Sequence, residues 1–139
     1  MKAAQHLLYV SMKYTKTCDV MLNLMQRWQL MIDESMLALL EKAKKKRLIK
    51  EIPVAPKQKV DEVRDIFKKE KSIQETMNTY LFFRRINACQ LSKEHEFRKN
   101  VALRVLTPEG AEVLIDIEKL KEWQALLEDF IKFVRAYTA

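Results

Sequence analysis

VALRVLTPEGAEVLIDI, residues 101–117, is the stretch where the character of the chain changes. Apolar and polar side chains alternate with period two on both sides of Thr107-Pro-Glu-Gly110, and the only glycine of the protein lies in that turn. Such alternation marks a strand with one buried face, and two strands around a short Pro/Gly turn mark a hairpin. With Pro108, Glu109 and Gly110 as the loop, Pro takes the first central position of a type I turn and Gly the left-handed one. Val105 then faces Val113, Leu103 faces Ile115 and Val101 faces Ile117. Six apolar side chains share one face, with Arg104, Glu112 and Asp116 on the other. A four-residue loop would set Val105 against Glu112 and mix the faces, so the three-residue loop is the expectation.

Beyond the hairpin the period becomes helical. Asp116 is placed to cap a final helix whose Leu120, Trp123, Leu127, Phe130, Val134 and Tyr137 recur in steps of three and four, the spacing of one buried helix face. Upstream, Ser72 and Glu75 have capping-box spacing. The helix they announce carries Ile73, Met77, Tyr80, Leu81, Phe83 and Ile86 to about Leu91, with Ser92 capping a short continuation through His95 and Phe97. Pro56 opens an earlier helix over residues 57–70, with Val60, Val63, Ile66 and Phe67 on one face.

Residues 3–52 contain neither Gly nor Pro. Cys18, Met21, Met25, Trp28, Ile32, Ser35 and Leu39 form a seam there, widened by Leu22, Met36, Leu40 and Ala43. Thr17 or Asp19 can cap it, and residues 3–14 either precede it as a separate helix or continue it. A helix over 17–48 is about 48 Å long, against a diameter near 37 Å for a sphere of this chain length. It therefore calls for an elongated molecule or for a second chain over the overhang. The fold class is mainly α: a four- to five-helix bundle with one β-hairpin, about 101–117, before the C-terminal helix, in a single domain over residues 1–139.

The 139 residues hold 26 Lys+Arg against 19 Asp+Glu, and are 48% hydrophobic and 32% charged. That is too apolar for disorder. No 18-residue apolar run exists, so no membrane partner is expected and the reading is a soluble, cytoplasmic protein. A single glycine excludes the Gly-rich phosphate loops. Cys18 and Cys89 fall in helical patterns, where a free thiol behaves as a small buried hydrophobe. Neither His6 nor His95 belongs to a pair at metal spacing. Asp61, Glu62 and Asp65 lie near a helix start, where the dipole favours acids. No metal, cofactor or catalytic residue is expected.

Two surfaces stand out. Residues 1–56 and 57–104 each carry a net +5, and residues 105–139 a net −3. The basic segment 42–104, with Lys42, Lys44, Lys45, Lys46, Arg47, Lys50, Arg84, Arg85 and Arg98, suits sequence-nonspecific contact with a DNA or RNA backbone. No base-reading motif accompanies it. Tyr80, Phe82 and Phe83 beside the arginines suit base stacking but have core spacing. Met12, Met21, Met25, Met31 and Met36, with Leu30, give the long helix an adaptable second face. Leu30, Met31, Val113 and Ile115 are the candidate interface, in a dimer whose long helices pack together and whose hairpin edges pair. The leading expectation is a small non-catalytic interaction or assembly protein, a homo-oligomer or a subunit of a larger complex. Nucleic-acid binding is the alternative.

Overall fold

The computed structural model describes residues 17–139. Expectations for residues 3–14, His6 and Met12 lie outside them. The chain is mainly α, with four α-helices and a small antiparallel sheet among the described residues. Helix α1 spans Cys18–Lys45, α2 Pro56–Ile66 and α3 Lys71–Arg85. A 3-10 turn, Ile86–Ala88, leads into strands β1 Gln90–Glu94, β2 Ala102–Leu106 and β3 Glu112–Asp116, and α4 follows over Ile117–Thr138.

The hairpin has the expected register at Leu103 opposite Ile115 and Val105 opposite Val113, but the expected third pair, Val101 with Ile117, lies outside the ladder because Asp116 caps a helix that begins at Ile117. Thr107 closes the three-residue loop. Its N–H donates to the Ala111 carbonyl at 2.8 Å and its carbonyl accepts from Gly110 at 2.9 Å. Gly110 takes φ +90, the left-handed conformation that a Cβ disfavours. Residues 90–94, however, are not helical. They pair antiparallel with β2, Leu91 opposite Val105 and Lys93 opposite Leu103, giving a three-stranded sheet with β2 at its centre. Ser92 is thus a strand residue, and the helix expected to reach Leu91 ends at Arg85.

Side-chain caps start two of the four described helices. The Thr17 hydroxyl accepts from the Val20 N–H at 3.3 Å and starts α1, and the Asp116 carboxylate accepts from Lys119 N–H at 2.8 Å and starts α4. The Ser72 capping box does not form. Helix α3 begins two residues earlier, with Glu70 at the N-cap position, and Glu75 reaches Lys71 at 3.7 Å instead. Helix α1 stops eight residues short of Pro53 in a Schellman motif, with Arg47 N–H on the Lys44 carbonyl and Leu48 N–H on that of Ala43. The left-handed position, usually glycine, is Arg47 at φ 62.

Contacts fix how the helices run. Cys18 Sγ–H donates to the Ala102 carbonyl at 3.2 Å, so α1 begins at the sheet, as α4 does after β3. At the other end, Lys46 Nζ lies 4.2 Å from the Tyr137 ring centroid, which puts the ends of α1 and α4 together. Helix α3 returns antiparallel to both. Phe67, just ahead of it, packs edge-on against Phe133 and Tyr137 at 5.4 and 4.9 Å, while Phe83 near its end meets Trp28 and Trp123 at 6.2 and 5.1 Å.

The core runs the full length of α1, from Cys18 to Ala43, against α2, α3, α4 and β2. At 28 residues this helix is about 42 Å long. The chain's own sheet covers one end and α2 the other, so the expected overhang does not arise. Leu24, which the seam reading passed over, is fully buried.

Candidate interaction surfaces

The basic run occupies the end of α1 farthest from the sheet. Lys42, Lys44 and Lys45 form the last turn, Lys46 is the cap and Arg47 the left-handed residue. Two of these cations bind the fold. Lys42 Nζ donates to the Ala139 carbonyl at 3.3 Å, and Lys46 covers the face of Tyr137. Lys44, Lys45, Arg47 and Lys50 are exposed and form no ion pair among the described residues.

The connector from α1 to α2 folds back on this end. Ile49 and Ile52 pack against the core, and Ile52 shares a shallow depression with Glu41, Lys44 and Lys45. Their inward turn leaves Leu48 57% and Val54 89% exposed. Sequence reading missed both. The available signal was their position between Arg47 and Pro56, outside any helical seam.

Arg84, Arg85 and Arg98 are elsewhere. Because α3 runs back along α1, Arg84 lies beside a groove with Asp19, Asn23 and Gln26 of the first turns of α1, its guanidinium 5.8 Å from the Tyr80 ring. Arg85 is ion-paired with Glu109 of the hairpin loop. Arg98 is exposed between β1 and β2. From the level of Asp19–Gln26 to Lys44 is about 30 Å along the α1 axis. The nine cations therefore divide between opposite ends and make no continuous track. Tyr80 and Phe83 are buried and Phe82 half-buried against Trp123, so these rings belong to the core rather than to a stacking platform.

The second surface is the outer face of the sheet. Inward alternation buries Leu103, Val105 and Ile115. The opposite face carries Leu106 and Leu114, 40% and 44% exposed, around Arg104. That guanidinium bridges Glu94 on β1, Nε to Oε1 at 2.8 Å, and Glu112 on β3. The bridge holds the Glu94 carboxyl below its ordinary range. A depression of about 280 Å³ lies over Gln90, Ser92, Arg104 and Leu106. Of the four candidate interface residues, Ile115 is wholly buried in this chain's own core, and Val113 and Met31 pack against it. Leu30 alone is open, at 56% exposure.

Asp61, Glu62 and Asp65 remain on α2, Asp65 paired with Lys68 at 3.1 Å, and no group of three or more potential metal ligands occurs among the described residues. None of the described helices is long and apolar enough to cross a membrane. Compared with protein-family models, curated proteins and solved structures, the chain matches none.

Proposed function

We propose that this protein, a helix bundle of four or five helices with an attached sheet, is non-catalytic and works by assembly, as a homo-oligomer or as a subunit of a larger complex. The supporting observation is the outer sheet face. Leu106 and Leu114 stand exposed on neighbouring strands, and the outer edges of β1 and β3 have no strand paired to them among the described residues. An open strand edge is a template for another chain, and two-fold pairing is the commonest way for one sequence to use such an edge. The proposed contact surface is thus the sheet rather than the long helix, whose Met31 packs on the chain's own core and which leaves only Leu30 of its two candidate residues open.

Light scattering at micromolar concentration tests the self-associating form. The expected mass is about twice the 16.5 kDa of one chain, returning to one chain in a Leu106→Lys, Leu114→Lys variant. A wild-type mass near 16.5 kDa that persists on concentration overturns it. The alternative, nucleic-acid binding along segment 42–104, loses support from the division of its cations between two ends.

A further inference from the structure

We propose that the end of the molecule formed by the last turn of α1 and the α1–α2 connector docks on the surface of an anionic phospholipid bilayer. This surface is separate from the sheet face, and the inference does not depend on assembly.

The first argument is charge. Lys44, Lys45, Lys46, Arg47, Lys50 and Lys57 are all exposed here, and the only exposed carboxylates among residues 41–57 are Glu41 and Glu51. The dipole at a helix C-terminus amounts to about half an elementary charge and needs no more than one cation to offset it. The Schellman bonds already satisfy its carbonyls. Six exposed cations against two carboxylates leave this end net positive, which suits a partner dense in phosphate.

The second argument selects the kind of phosphate surface. Leu48 and Val54 stand out in water among those cations, turned outward by the inward anchoring of Ile49 and Ile52. A nucleic-acid backbone gives an aliphatic side chain nothing to enter. A bilayer interface gives both: headgroup charge for the lysines and the acyl boundary a few ångströms deeper for the two aliphatic tips. No spanning segment is needed. The sequence expectation of no membrane partner rested on spanning runs and does not bear on a surface contact of this kind.

The experiment is cosedimentation of the full chain with large vesicles, either pure phosphatidylcholine or phosphatidylcholine with 30% phosphatidylserine (a probe composition). At 50 mM salt we expect binding to the anionic vesicles only, weakening as salt is raised to 300 mM. Replacing Lys44, Lys45, Arg47 and Lys50 by Gln is expected to lower partition by roughly fivefold per cation removed. Leu48→Ser with Val54→Ser keeps every charge and is expected to lower it about tenfold. Both variants change exposed side chains, and an unchanged circular dichroism spectrum verifies the fold. The proposal is overturned by equal binding to neutral vesicles, by no effect of the Leu48/Val54 pair, or by tighter binding to a 30-base-pair DNA than to the anionic vesicles.

Discussion

Tyr80 shows how one side chain ties protonation to stability. It is fully buried, and its hydroxyl donates to the Asp33 carboxylate across from α3 to α1. Burial, and then the Asp33 charge, push its pKa up to about 12 from an ordinary 10. The folded protein therefore holds this proton where the unfolded chain has released it. Stability is unaffected by this group's titration below pH 10 and falls as pH rises from about 10 to 12. Urea titrations at pH 8, 10 and 11.5 should show a steeper alkaline loss in wild type than in Tyr80→Phe. The variant should also be about 1 kcal/mol less stable at pH 8. Cysteine chemistry gives a second test at this scale. Cys18 is inaccessible, and desolvation raises its thiol pKa, whereas Cys89 is half-exposed. A maleimide should modify Cys89 in the native protein and Cys18 only after denaturation; native labelling of both would contradict the packing of α1 on β2.

At the scale of elements, two left-handed residues predict opposite outcomes. Gly110 at φ +90 has nothing within 4 Å of the place a Cβ would take, so Gly110→Ala should cost about 1–2 kcal/mol through backbone strain alone. Arg47 at φ 62 already bears that strain, so Arg47→Gly should raise stability by about 0.5–1 kcal/mol. Urea midpoints measure both, and two shifts of the same sign would refute the assignment. The hairpin was legible because a Pro/Gly loop fixes register and alternation fixes which face is buried. Strand β1 was not. Gln90-Leu-Ser-Lys-Glu94 has one apolar side chain, and four of its five residues are exposed, so it has no alternation to read. Backbone pairing to β2 and the Glu94–Arg104 bridge hold it in place, and neither leaves a local pattern. The Ser72–Glu75 motif fits a cap equally well in sequence, but Glu75 finds Lys71 instead.

For the whole molecule, the aromatic junction of α1, α3 and α4 is the point of greatest leverage. Phe83 meets Trp28 of one helix and Trp123 of another. Phe83→Ala is expected to cost about 3–5 kcal/mol, a large part of the 5–15 kcal/mol typical of a domain. A thermal melt followed by tryptophan fluorescence reads it directly, since both indoles line the site; a loss below 1 kcal/mol would mean that the helices close the gap. The candidate surface was only half legible at this scale. A run of lysines is visible in any sequence, but the antiparallel return of α3, which carries Arg84 and Arg85 to the opposite end, is not.

The placement of α1 also bears on how the chain is made. Its apolar side chains leave the ribosome before every described element that covers them. Cys18 waits for Ala102, Trp28 for Phe83 and Trp123, and the Lys42–Lys46 turn for Tyr137 and Ala139. An isolated helix with such a stripe gains little from forming in water and exposes a strip that other nascent chains can bind. Closure of the core thus waits for α4, and a chain stalled within the sheet would present Met21, Met25 and Leu24 to whatever holdase chaperones attend the exit tunnel.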